Sequence, residues 1–223
     1  MVDVGRWRRV VKLDPARPIG AERLAEVCSW GVDALVVGGT GGYGLSEVFS
    51  LLTRLRRFSL PLALEVSDPG AVCPGFDVYL IPMVLNSSEV DWVIGQHQAA
   101  IKRYAEVMDW DKIAAEGYCI LNPDATAARL SRARTGMGLD DVVAFAQLAE
   151  HLLALPIFYL EYSGTYGSPQ VVRAVGEALD RTLLWYGGGI RTTEQAAEMA
   201  ALSDAIVIGN AVYDQAPLFR LRS

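Results

Sequence analysis

Between residues 159 and 164 the chain reads Tyr-Leu-Glu-Tyr-Ser-Gly, which puts a carboxylate, two phenols and a hydroxyl beside a glycine at the end of the apolar run 156–160. An apolar run bounded by turn residues predicts a short core strand, and polar groups at a strand's exit fall where α/β enzymes place their chemistry. Alone, the motif also fits a capping turn, so its company decides. Gly187-Gly188-Gly189 and Gly209-Asn210 close two other apolar runs. Glycines there expose backbone N–H groups, admit a ligand closely and lead into helix N-termini, which suits a phosphate. Lys12 lies inside the run 10–13, where a lysine is costly unless it meets an anion. Asp14 and the hydroxyl of Thr40, beside Gly38-Gly39, form the kind of pair that holds Mg²⁺ together with waters and a substrate phosphate. Asp14 equally fits a turn cap before Pro15.

These groups meet only if the strands that carry them end on one face. Strands are predicted at 10–13, 34–37, 62–66, 78–81, 118–121, 156–160, 183–186 and 205–208, each a short apolar or β-branched run closed by Gly, Pro, Asn or Asp. Helical spacing marks residues 21–30, a face of Val48, Leu51, Leu52 and Leu55, and residues 89–105. A further helix starts at Asp140 or Asp141 and runs through Leu153. Ser168-Pro169 reads as an N-cap with Pro at the first helical position, and Thr192 with Gln195 has capping-box spacing. After the third strand, 67–75 is rich in Pro and Gly, so that helix is missing or replaced by a loop. Eight strands alternating with helices predict an α/β fold, a (β/α)8 TIM barrel in a single domain spanning 1–223. An open doubly wound sheet is the alternative.

Composition narrows the function. Apolar residues make up 52% of the 223, enough for a large core, and a formal charge of -6 argues against nucleic-acid binding, which leans on Lys and Arg. Cys28, Cys73 and Cys119 are odd in number and lack ligand spacing, which predicts reduced core thiols in a cytoplasmic protein. No run reaches the ~20 apolar residues needed to span a bilayer. His97 and His151 share no ligand spacing with a carboxylate and read as structural.

Taken together, 12–15, 37–40, 64–67, 82–87, 116–118, 159–164, 186–190 and 207–210 resemble the geranylgeranylglyceryl and heptaprenylglyceryl phosphate synthases, in order and over nearly the whole chain. Only the segment after Tyr213 is less similar. The resemblance implies a TIM barrel that joins sn-glycerol 1-phosphate to a polyprenyl diphosphate with Mg²⁺, giving an ether-lipid precursor. It assigns Lys12, Tyr159, Leu160, Glu161, Tyr162, Ser163, Gly164, Gly189, Gly209 and Asn210 to the glycerol phosphate, and Asp14 and Thr40 to Mg²⁺. It makes Glu161, beside the glycerol, the candidate general base. It also implies a homodimer and, for a lipid product, transient membrane contact. Along the helix at 89–105, Val93, His97, Ala100 and Tyr104 share a face suited to wall a prenyl groove. The family's chain-length rule, read on Ala99 and Ala100, favours a C35 heptaprenyl donor over C20 geranylgeranyl. Close helix packing uses Ala just as readily. A phosphosugar isomerase or indole-type synthase on the same barrel, and a non-catalytic lipid-phosphate binder, are the alternatives.

Overall fold

The computed structural model describes residues 3–214. Eight parallel strands close on themselves in the order in which they occur: β1 (Arg9–Leu13), β2 (Ala34–Val37), β3 (Leu62–Glu65), β4 (Val78–Val84), β5 (Ile113–Ile120), β6 (Ile157–Glu161), β7 (Leu183–Gly187) and β8 (Ala205–Ile208). Around them lie α1 (Ala21–Cys28), α2 (Leu45–Leu55), α3 (Gln96–Tyr104), α4 (Thr126–Ser131), α5 (Leu139–Gln147), α6 (Pro169–Ala178) and α7 (Thr193–Ala200). The TIM barrel expected from the alternating pattern is the fold observed. β3 is followed by a single 3-10 turn, Pro69–Ala71, in place of a helix.

Strand alternation divides the core in two. Val10, Val36, Leu80, Tyr118, Tyr159, Trp185 and Val207 point into the barrel. Leu13, Leu35, Leu64, Phe158, Leu160 and Tyr186 point outward and are covered by the helices. Each large side chain so covered contributes about 1.5–3 kcal/mol relative to exposure. Trp7, just before β1, enters the inner cluster and meets Trp185 with ring centroids 5.9 Å apart, closing the barrel's N-terminal end.

The departures from the expected elements have local causes. β4 runs on through Pro82, read from sequence as a strand stop, and the Pro82 carbonyl meets His97 Nε2 at 2.9 Å. β5 begins at Ile113, ahead of the expected start at 118; its first half, Ile-Ala-Ala-Glu-Gly, is mostly small residues and a carboxylate in place of the β-branched residues that mark a strand. The helix expected over 89–105 is α3 preceded by a π-type turn, Asp91–Gly95, and followed by a 3-10 turn, Ala105–Val107. α4 gave no sequence signal; it is short and ends at Arg132, whose φ of 49° is left-handed. α5 starts at Leu139, with Asp141 accepting the Gly138 N–H at 3.0 Å from inside the first turn. The Thr192 and Gln195 capping box opens α7 as expected. The three cysteines are unpaired, Cys73 and Cys119 buried and Cys28 half-buried. No described helix is long and apolar enough to cross a membrane. The stretch after Asp214 lies outside the described residues.

Candidate active site

At the C-terminal end of the barrel the strand exits enclose an open cavity of about 520 Å³. Lys12, Asp14, Thr40, Tyr159, Glu161, Ser163, Gly164, Gly189, Gly209 and Asn210 all line it. Two expected residues do not: alternation along β6 turns Leu160 into the outer core, and Tyr162 packs with Tyr186 at 6.0 Å between ring centroids. Their side chains lie on the far side of the sheet from Tyr159 and Glu161.

The cavity floor is a charged layer inside the barrel. Lys12 Nζ meets Glu65 Oε1 at 2.6 Å and lies 5.8 Å from the Tyr118 ring centroid and 6.0 Å from that of Tyr159. Tyr118 donates its hydroxyl to the other oxygen of Glu65 in a short hydrogen bond. The Tyr118 and Tyr159 rings stack at 4.3 Å, 9° from parallel. Burial pushes the Lys12 ammonium down, but Glu65, then Glu161 and Glu116, outweigh it and raise its pKa above the ordinary value. Lys12 is therefore cationic. Burial raises the Glu161 carboxyl, against the opposing pull of Lys12 and of the Ser163 N–H that it accepts. Burial that raises a carboxyl moves it in the direction a general base needs.

Glu116 shares this layer. It is fully buried, and neither carboxylate oxygen has a hydrogen-bond partner among the described residues. Burial, then the neighbouring Glu65, push its pKa well above the ordinary carboxylate range. Three carboxylates face one lysine, and Glu116 is the one whose charged form no described donor stabilises.

The opposite wall is backbone. A Cβ on Gly187 would collide with the Tyr159 hydroxyl, so that phenol sits where only glycine leaves room. Gly189 has φ +55° and lies against the Thr165–Tyr166 peptide, where a side chain would add both strain and overlap. These turns line the cavity with glycine backbone and no side-chain bulk, the composition of an anion cradle. Asn122 Nδ2 donates to the Ser163 carbonyl at 2.5 Å, anchoring the loop that follows β6.

Asp14 and Thr40 both line the cavity, and Thr40 follows the glycine that lies against Asp14. A Cβ on Gly39 would stand 2.6 Å from Asp14 Oδ1, so glycine there makes room for the carboxylate. Asp14 Oδ1 also accepts the Ala16 N–H at 2.9 Å, the turn cap expected from Pro15. No group of three or more His, Cys, Asp or Glu among the described residues forms a metal cluster. One carboxylate with one hydroxyl is the sparse protein contribution that Mg²⁺ takes when phosphates complete its shell, so the residues fit.

Val93, His97, Ala100 and Tyr104 form a half-buried row along α3 and its preceding turn, with exposed residues between them. They are outside the cavity lining. His151, exposed, lies 3.8 Å from Glu150, away from the cavity. Sequence reasoning gave no role to Glu116, Tyr118, Arg17, Arg191 or Asp124, of which the last three line the cavity. Glu116 and Tyr118 had a signal, standing in phase with Ile120 on the inward side of β5.

Fold and site together define a TIM barrel whose C-terminal mouth brings a lysine, carboxylates and glycine turns to one cavity. The chain belongs to the PcrB family, which it matches over residues 2–220. It is 58% identical over 214 residues to heptaprenylglyceryl phosphate synthase of Geobacillus kaustophilus (strain HTA426), covering 96% of this chain and 90% of that one. To the heptaprenylglyceryl phosphate synthase of Geobacillus thermodenitrificans (strain NG80-2) it is 62% identical with the same coverage. The fold is shared with (S)-3-O-geranylgeranylglyceryl phosphate synthase from Thermoplasma acidophilum, solved with its substrate sn-glycerol-1-phosphate. The TM-score is 0.79 at 24% identity, over 92% of this chain and 85% of that one.

Proposed function

We propose that this protein joins sn-glycerol 1-phosphate to a polyprenyl diphosphate, forming a prenylglyceryl phosphate and releasing diphosphate. The observation that carries the reading is the meeting, in one cavity, of Lys12 and Glu161 with the glycine turns after β7 and β8 and the Asp14–Thr40 pair. The names of the relatives support it.

The backbone at Gly189 and Gly209-Asn210 receives the acceptor's phosphate, with Lys12 adding charge from the floor. Tyr159, Ser163 and Gly164 set the glycerol so that its 3-hydroxyl faces Glu161. As the glycerol oxygen bonds to C1 of the donor, the C1–O bond breaks and its electron pair leaves with the diphosphate. Glu161 takes the hydroxyl proton. Mg²⁺, when held by Asp14 and Thr40, supplies neutralising charge for the diphosphate.

The donor is C35 in this reading. Ala100, small and half-buried in the α3 row with Val93 and Tyr104, leaves a long chain unobstructed. Ala100→Trp is expected to confine products to shorter chains, and undiminished use of the C35 donor would remove α3 from the groove. Exposed Val90, Ile94 and Ile101 on the outer side of the same segment support self-association as a homodimer, and the lipid product implies transient membrane contact. Diphosphate release tests the whole reading: it is expected only when both sn-glycerol 1-phosphate and the prenyl donor are present. Release from the donor alone at the same rate would make the protein a hydrolase instead.

A further inference from the structure

Three cations line the cavity: Lys12, Arg17 and Arg191. Two are engaged by carboxylates, Lys12 by Glu65 at 2.6 Å and Arg191 by Asp214 at 3.8 Å. Arg17 differs. Its guanidinium carbon lies 3.7 Å from the Tyr213 ring centroid, and Nη1 donates to Asn210 Oδ1 at 3.0 Å. Both partners are neutral, and among the described residues Arg17 forms no ion pair. The side chain is thus oriented while its charge and the remaining donors of its fork stay available to an anion.

We propose that Arg17 binds the diphosphate of the prenyl donor and sets affinity for that substrate. This rests on the prenyl-transfer reading above. The position separates donor from acceptor. The acceptor's phosphate falls to the backbone turns after β7 and β8, whereas Arg17 belongs to the β1–α1 loop that carries Asp14. Its N–H donates to the Asp14 carbonyl at 3.0 Å. That loop packs on the one bearing Thr40: a Cβ on Gly42 would stand 3.7 Å from Ala16 Cβ. Arg17 therefore flanks the Asp14–Thr40 pair, where a diphosphate needs more positive charge than Lys12, already matched by Glu65, can offer. A planar fork suits two adjacent phosphate oxygens. Asn210 joins the two halves, its backbone lying at the acceptor's turn and its side chain holding Arg17.

The test is steady-state kinetics of the full chain with Mg²⁺, sn-glycerol 1-phosphate and heptaprenyl diphosphate, with wild type, Arg17→Ala and Arg17→Lys. Calorimetry of inorganic pyrophosphate with Mg²⁺ accompanies it. In Arg17→Ala the KM for the donor is expected to rise about 10- to 100-fold, the size of a lost charge-assisted contact, and pyrophosphate to bind weaker by a similar factor. The KM for sn-glycerol 1-phosphate should stay within about threefold, and Arg17→Lys should fall between. Equal rises in both KM values, or a rise for the acceptor alone, would overturn the assignment. A wild-type protein that makes no lipid product would instead remove the prenyl-transfer reading. Pyrophosphate would still decide on Arg17, since unchanged affinity in Arg17→Ala rejects it.

Discussion

Glu116 and Glu150 are both buried carboxylates, at opposite ends of the barrel, and they have opposite fates. At the N-terminal end, Glu150 Oε2 accepts the backbone N–H groups of Asp180, Arg181 and Thr182 at 2.8, 3.0 and 3.1 Å. Those bonds pull its pKa down to about 2. Toward the C-terminal end, Glu116 has no donor among the described residues, and burial pushes its carboxyl up. The difference marks the division of labour in this fold. The lower end, with Trp7 against Trp185 and Glu150 tying the turn before β7, is built for stability. The upper end gathers an excess of carboxylates around Lys12 at the floor of an open cavity, the end of this fold where ligands bind.

Breaking each end should therefore give a different signature. The largest effect is expected from Glu161→Gln, which keeps shape and removes the proposed base: kcat should fall by about 10²- to 10⁴-fold while sn-glycerol 1-phosphate still binds. In the wild type, the acid limb of kcat should lie above the ordinary glutamate range, since burial raises this carboxyl and only its ionised form accepts the proton. Near-normal kcat in Glu161→Gln would take the residue out of the chemistry.

Next comes the backbone wall. Gly187→Ala drives a methyl into the Tyr159 hydroxyl. Chemical denaturation should report a loss on the order of 1–3 kcal/mol, with a raised KM for the acceptor; an unchanged KM would mean that Tyr159 does not position glycerol.

Glu150→Gln should act on stability alone. A depressed carboxyl contributes stability above its unfolded pKa of about 4.3, and that contribution fades as pH falls toward about 2. Thermal melts of the variant should show a lower Tm at neutral pH and a flatter decline across that acid window, with both KM values unmoved. A wild-type slope identical to the variant's would exclude the linkage. The smallest effect is expected for Glu116→Gln, where an amide of the same shape replaces a carboxyl whose charged form burial disfavours: kcat/KM at pH 7 within about threefold of wild type. A loss comparable to that of Glu161→Gln would mean Glu116 works as an anion.

Most of this architecture was legible because strands here are short apolar runs closed by turn residues. β2 and β8 match their predicted spans, and the Pro- and Gly-rich stretch after β3 holds a 3-10 turn and no helix. What escaped was the first half of β5, made mostly of small residues and a carboxylate, the continuation of β4 past a proline that reads as a stop, and the short α4. The cavity's lining was legible for the same reason as the strands, since polar groups that end strands of one barrel must share a face. Leu160 and Tyr162 were included with the motif as a block, although a two-residue period turns them away from Tyr159 and Glu161. Glu116 and Arg17 look ordinary in sequence. Their meaning lies in what surrounds them, an absence of donors for one and two neutral partners for the other, and neither is encoded by neighbours along the chain.

Transfer of label from water to lipid measures the central claim most directly. Labelled sn-glycerol 1-phosphate, Mg²⁺ and heptaprenyl diphosphate are incubated with the wild type and with Glu161→Gln, and the organic phase is counted. The wild type should move label into the organic phase in step with diphosphate release, and Glu161→Gln should leave it in water. Label that stays aqueous with the wild type, while both substrates bind, would contradict the account.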